Sequence, residues 1–141
     1  MTVFSGTFKH ALDTKNRLFI PAKFREELGE KFFVMRNVDG CLDILTLEAR
    51  DSISEQLSLL PRVQAGDLRR FLFSESSDCE PDSQGRVILP SQLVEYAELG
   101  KNVLIVGADN HIELWNEEKY EAKRAAASKD YILALMNELK W

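Results

Sequence analysis

Apolar and polar residues alternate in two short stretches of this chain in almost the same order. After the polar run Asp13-Thr14-Lys15-Asn16, Leu18 and Ile20 alternate with Arg17 and Phe19. After Asp82-Ser83-Gln84-Gly85, Val87 and Leu89 alternate with Arg86 and Ile88. A period of two is that of a half-buried strand, which predicts Leu18, Ile20, Val87 and Leu89 inside and both arginines outside. Pro21 and Pro90 come next. Proline lacks the N–H that a first helical turn leaves unused, so 22–28 and 91–99 are predicted as short helices closed by Gly29 and Gly100.

The correspondence Asp13/Asp82, Arg17/Arg86 and Pro21/Pro90 has a constant offset of 69 residues. It continues as Gly29–Met35 against Gly100–Val106 and Cys41–Leu45 against His111–Trp115, both apolar enough to be buried strands. The repeated plan is a polar turn, a strand, a proline-led helix, a strand, a turn at Asp39-Gly40 or Asp109-Asn110, and a third strand. Thr46 is placed to cap a helix with Leu47, Ile53, Leu57 and Leu60 along one side, ended by Pro61. A second helical stretch from about 67 to 73 leads into the second copy. Its counterpart begins near Asn116 and extends toward Trp141, with an apolar stripe of Ile132, Leu135, Met136 and Leu139. That stripe is read as packing on its own domain, with a partner as the alternative. The chain divides as 1–65, the first repeat with its following helix, and 66–141, the second repeat with the terminal helix. Three short strands per half would leave a sheet edge open, so the halves are expected to interlock as one folded unit.

The turn residues have a definite chemistry. Asp13 and Asp82 can accept backbone N–H groups two residues on, while Asn16 and Gly85 tolerate the left-handed backbone of a tight hairpin. With Pro21 and Pro90 they are assigned a structural role.

Composition narrows the functional classes. A chain of 141 residues, 45% hydrophobic and 29% charged, is that of an ordinary globular protein. No apolar run reaches a membrane span and the first residues lack a secretory pattern, so a cytoplasmic protein is expected. Cys41 and Cys79 are far apart with no CxxC spacing and no nearby histidine pair, so neither a disulfide framework nor a zinc site is signalled, and both are read as small buried or semi-buried residues. The net charge of −5 means that any nucleic-acid site must be local. Such a window exists: Lys9, Lys15, Arg17, Lys23 and Arg25 with the single anion Asp13 give a net +4 over 9–25. The equivalent window 78–94 holds Arg86 against Asp78, Glu80 and Asp82, a net −2.

Two copies of Asp-x-x-Gly/Asn-Arg, an apolar strand and proline within about 140 residues resemble the MraZ family, itself similar to the wider AbrB and SpoVT group. The resemblance covers almost the whole chain. It implies an α+β, β-rich fold: a tandem duplicated AbrB-like swapped-hairpin β-barrel with short flanking helices. It also implies ring-like homo-oligomers that bind short direct repeats of double-stranded DNA. The implied target is the promoter of the bacterial division and cell-wall gene cluster, including the regulator's own gene, with action chiefly as a repressor and association with the nucleoid. The family signature falls on Asp13 and Arg17, and again on Asp82 and Arg86, with Lys15 also matching. Asn16 stands where glycine is usual, and Gln84 where a basic residue is usual.

DNA contact is accordingly expected from Lys15, Arg17 and Arg86, with Lys9, Lys23 and Arg25 around them. The first repeat is expected to dominate, because Gln84 removes a cation. The competing reading of each Asp–Arg pair is a hairpin clasp, yet an exposed pair contributes only ~0–1 kcal/mol, a weak reason for the motif. Arg62, Arg69 and Arg70 could extend the patch or could form a solvated helix face. An enzyme is not indicated: His10 and His111 mark no triad or metal site and read as structural, and no phosphate-binding loop is present. Trp115, Phe19 and Phe33 read as core or interface. No cofactor, metal or small-molecule substrate is called for. The alternative function is a ring-forming structural or protein-interaction protein without a DNA role, which the basic window around Lys15 would not serve.

Overall fold

In the computed structural model, which describes residues 3–140, each half runs strand, strand, helix, strand, strand, helix, helix. The first half contributes β1 (Thr7–Ala11), β2 (Arg17–Phe19), α1 (Ala22–Leu28), β3 (Phe32–Arg36), β4 (Leu42–Thr46), α2 (Leu47–Leu57) and α3 (Arg62–Phe73). The second contributes β5 (Ser77–Cys79), β6 (Arg86–Ile88), α4 (Ser91–Tyr96), β7 (Asn102–Gly107), β8 (Ile112–Asn116), α5 (Glu117–Ala126) and α6 (Lys129–Met136). The α+β class and the duplication match the sequence pattern. The plan has one strand more per copy than expected, because β1 and β5 precede the recognisable turn.

Those two additional strands cross between the halves. β1 pairs with β7 and β5 pairs with β3, in one antiparallel sheet of order β1-β7-β8-β4-β3-β5. β4 and β8 meet at its centre, with Asp43 opposite Glu113. β2 and β6 pair with each other, with Leu18 opposite Val87, and Leu18 also forms an isolated bridge with Leu12 just after β1. The barrel expected from the sequence therefore does not close: β1 and β5 are free edges of a six-stranded sheet, and the three-residue strands β2 and β6 form a separate ribbon.

The main core lies between that ribbon and the inner face of the large sheet. Leu18, Ile20, Val87 and Leu89 point into it as the alternation requires, beside Phe24, Leu93, Ile44, Ile105 and Leu114, each at most 1% exposed. Phe24 receives the edges of Phe4 and Phe8 at 5.8 and 5.3 Å between ring centres. Burying one such large apolar side chain contributes ~1.5–3 kcal/mol. On the outer face of the sheet, α2 and α3 cover Phe33, Met35 and Leu45, while Tyr120 of α5 covers Cys41, Leu104, Val106 and Trp115. Phe33 and Trp115 are thus core residues, and both cysteines are buried thiols.

Several helix boundaries differ from expectation. Thr46 Oγ1 accepts the Ala49 N–H as the predicted cap of α2, and Gly29 follows α1. Pro21 and Pro90, however, stand one position before the first helical residue, each with ψ of 141°. α4 stops at Tyr96, short of Gly100, because Glu98 takes the left-handed backbone (φ 53°) and Asn116 donates to its carbonyl at 2.7 Å. α3 starts directly after Pro61 rather than near 67, and Leu60 remains 38% exposed. The terminal helical stretch is two helices, because Ser128 caps α6 through the Tyr131 N–H; Trp141 lies outside the described residues. The stripe on α6 does not pack on its own domain: Ile132, Leu135, Met136 and Leu139 are 38–58% exposed. α3, the counterpart of α6, lies against β3, whereas α6 extends past the sheet with no buried residue.

Candidate nucleic-acid interface

The two polar turns have the same internal bonding. Asp13 Oδ1 accepts the N–H groups of Lys15 and Arg17 at 2.9 and 2.8 Å, and Oδ2 accepts Arg17 Nε at 2.6 Å. Asp82 Oδ1 accepts those of Gln84 and Arg86 at 2.9 and 3.0 Å, and Oδ2 accepts Arg86 Nε at 3.2 Å. Both carboxylates are held below the ordinary range, first by the backbone N–H of Arg17 or Arg86 and further by the guanidinium. Asn16 and Gly85 carry the left-handed backbone the turn needs, at φ 60° and 80°.

The turns are joined into one surface by the ribbon. Arg17 lies opposite Ile88, and Phe19 opposite Arg86. The alternation that buries Leu18 and Val87 turns these four side chains to the other side, so guanidinium and apolar groups form a checkerboard. Each arginine gives its Nε to the aspartate, which fixes the plane of the fork, and among the described residues its Nη donors take no hydrogen-bond partner. Their side chains are 31% and 30% exposed. Ile88 is 67% exposed. The ladder runs on into the turns, with Ile20 N donating to Gly85 O at 3.0 Å and Leu89 N to Asn16 O at 2.8 Å.

The other cations of the basic window are distributed unequally. Lys15 projects from the first turn and is exposed. Arg25, from the first half, lies against the second turn: a Cβ on Gly85 would come within 2.8 Å of its Cζ. Its Nε donates to Ile20 O at 2.8 Å, and its guanidinium stands 5.4 Å from the Phe19 ring. Lys23 Nζ donates to Ser5 O at 3.0 Å, and Lys9, on β1, forms an ion pair with Glu117 of α5. Lys15, Arg17, Arg25 and Arg86 thus surround the ribbon, while Lys9 and Lys23 are engaged elsewhere. Arg62, Arg69 and Arg70 line a surface groove between α2 and α3, away from the ribbon.

Of the residues read as structural, His10 presents its ring to Phe19 at 5.0 Å beside the ribbon. The apolar half of the checkerboard, half-buried Phe19 and exposed Ile88, was not expected at the surface; the outward phase of the alternation was its only signal. A second convergence went unseen because its members are 70 residues apart: Cys41 and Asp43 meet His111 and Glu113 on the outer face of the sheet.

The arrangement defines an α+β protein of two like halves, presenting a small arginine-bearing ribbon on a duplicated scaffold. A family model described as "MraZ protein, putative antitoxin-like" matches residues 3–68 and 72–132. The chain is 42% identical over 141 residues to the transcriptional regulator MraZ of Halothermothrix orenii, covering 97% of this chain and 99% of that one. It is 40% identical to the protein of that name in Clostridium acetobutylicum, again covering 97% and 99%. Identity reaches 44% over 118 residues with the Carboxydothermus hydrogenoformans protein of that name, covering 82% of each. The chain belongs to the MraZ family. Among the described residues, no helix is long and apolar enough to cross a membrane.

Proposed function

We propose that this protein is a sequence-specific DNA-binding transcription regulator, a repressor of the promoter that serves its own gene within a division and cell-wall cluster, where it binds short direct repeats. The observation that carries the reading is the outward face of the β2–β6 ribbon. A two-stranded ribbon fits the major groove, and a planar arginine fork suits the O6 and N7 acceptors of guanine or a phosphate. The Asp13 and Asp82 anchors hold the forks in position before DNA arrives, which lowers the ordering cost of binding. Lys15 and Arg25 add charge at the margin of the ribbon, and Phe19 and Ile88 offer apolar contact of the kind a thymine methyl accepts.

The two halves act as one interlocked unit of swapped-hairpin type, since β1 and β5 each complete the sheet portion of the other half. Self-association follows from α6, whose apolar side chains from Tyr131 to Met136 are exposed. A homo-oligomer that closes as a ring would present several ribbons to tandem sites, where each further contact gains from effective concentration. The relatives' printed name, transcriptional regulator, supports the regulatory part of this reading.

The test is a gel-shift and footprint scan of the DNA upstream of this protein's own gene, using fragments with one, two and three copies of any protected repeat. Affinity should rise with copy number and fall with salt. Equal affinity for unrelated DNA would refute sequence-specific recognition, and a ring without any binding at low salt would favour a purely structural assembly.

A further inference from the structure

The duplication brings four potential metal ligands to the centre of the large sheet, on the face turned away from the ribbon core. Asp43 of β4 is the direct cross-strand partner of Glu113 of β8. Two residues earlier in each strand's path stand Cys41 and His111, so the offset of 70 relates thiol to imidazole as it relates carboxylate to carboxylate. One ligand atom each of Cys41, Asp43 and Glu113 lie within 4.8 Å of one another. His111 Nε2 is 2.9 Å from Glu113 Oε2 and 3.6 Å from Asp43 Oδ1.

Outer contacts orient the carboxylates and the imidazole. Cys41 is 0% exposed and in no disulfide, and among the described residues its sulfur finds no hydrogen-bond partner. Asn37 Nδ2 donates to Asp43 Oδ1 at 3.0 Å, and Trp115 Nε1 donates to Glu113 Oε1 at 2.8 Å. Such outer contacts orient ligating carboxylates in metal sites. His111 Nδ1 faces Asn110 Oδ1 at 2.7 Å, an acceptor, so the ring presents Nε2 to the two carboxylates. Nε2 therefore stands at the two carboxylates, the position from which an imidazole can join them in holding a metal ion.

We propose that Cys41, Asp43, Glu113 and His111 form a binding site for a transition ion of the Zn²⁺ class, which ties β4 to β8 across the junction of the two halves. One sulfur, one imidazole nitrogen and two carboxylate oxygens are the donor types such an ion takes in fourfold coordination, whereas Mg²⁺ and Ca²⁺ take oxygen alone. Zinc bonds of roughly 2.0–2.3 Å require the Cys41, Asp43 and Glu113 atoms to close up by about an ångström, and His111 Nε2, which lies outside that 4.8 Å group, to swing from the carboxylates toward Cys41. On binding, the aqua ion loses its waters, and the thiol proton of Cys41 and any proton on His111 Nε2 pass to solvent. No electron is transferred.

The test uses the full chain, stripped with a chelator and titrated with Co²⁺ as a spectroscopic probe. One equivalent of Co²⁺ should produce a thiolate-to-cobalt charge-transfer band with tetrahedral visible bands, and Zn²⁺ should displace it and raise the melting temperature. Cys41→Ser should lose the charge-transfer band. Asp43→Asn and His111→Gln should weaken binding about tenfold or more, and Cys79→Ser should behave as the parent protein. Metal-free circular dichroism and melting curves establish that each variant is folded. Folded parent protein that takes up no Co²⁺ at micromolar concentrations, or that shows no thiolate band, overturns the proposal and leaves an imidazole–carboxylate cluster only. The parent spectrum decides this even where a variant does not fold, and a thiolate band surviving in folded Cys41→Ser overturns it equally.

Discussion

Replacing Arg17 or Arg86 by alanine separates a reading surface from a hairpin clasp. Each Asp–Arg pair is about one-third exposed, and an exposed pair of this kind contributes ~0–1 kcal/mol to folding. For a chain of this size that lowers the melting temperature by at most about 4 °C. A lost bidentate base contact costs ~1–3 kcal/mol in binding, roughly 5- to 150-fold in affinity, and a lost phosphate contact reduces the salt slope by about 0.9. The binding loss should therefore exceed the folding loss. Geometry alone makes the two arginines equivalent, but Lys15 stands beside one turn and Gln84 beside the other, so Arg17→Ala is expected to cost more than Arg86→Ala. Arg25 moderates the contrast, because this first-half cation rests on the second turn. The assay is fluorescence anisotropy on tandem-repeat DNA across a salt series, with calorimetric melting of every variant. Lys15→Gln should weaken binding and Gln84→Lys strengthen it. Less than a twofold change with folded Arg17→Ala would refute the assignment, and a larger loss with Arg86→Ala would make the second turn the principal contact.

Gly85→Ala should destabilise the protein by ~1–2 kcal/mol through its left-handed backbone, and by more if Arg25 must leave, whereas Asn16→Gly should be close to neutral; chemical denaturation compares them. Asp13 and Asp82 carry lowered pKa values, so the stability they add is complete above the ordinary carboxylate value of 3.8 and is lost as pH falls through their lower folded values. Asp13→Asn with Asp82→Asn should flatten the acid limb of the stability–pH curve, and an unchanged limb would show that other carboxylates control it. Fragments 1–65 and 66–141 should not fold separately, because each would lose the partner of its first strand; a cooperative melt from either one refutes the interlocked unit. Leu133→Asp with Leu139→Asp, at positions 60% and 58% exposed, should dissociate the oligomer without unfolding the protomer. Sedimentation reads the mass, and a monomeric parent protein would sink that prediction.

Much of this molecule is local in origin and so was legible in the chain. The alternation around Leu18 and Val87, the turn chemistry of Asp13, Asn16, Asp82 and Gly85, and the Thr46 cap depend on neighbours within four residues. Periodicity and side-chain type are enough to specify such features. The 69-residue repeat in turn announced that two copies of one plan must be accommodated. Strand exchange was not local. That β1 joins β7, and β5 joins β3, follows from which edges remain unpaired after both halves collapse on one core, and a three-residue strand such as Ser77–Cys79 has no pattern long enough to announce itself. The same packing decided the sites. It carried Arg25 to the turn of the other half, drew Lys9 to Glu117, left α6 without a surface to cover, and brought Cys41 and Asp43 to His111 and Glu113. Sequence by itself therefore determined the turns, the repeat and the outward arginines, because these rest on short-range geometry. Only the tertiary structure decided which side chains share a surface, because residues 70 positions apart meet through the pairing of β4 with β8 and through nothing in the chain between them.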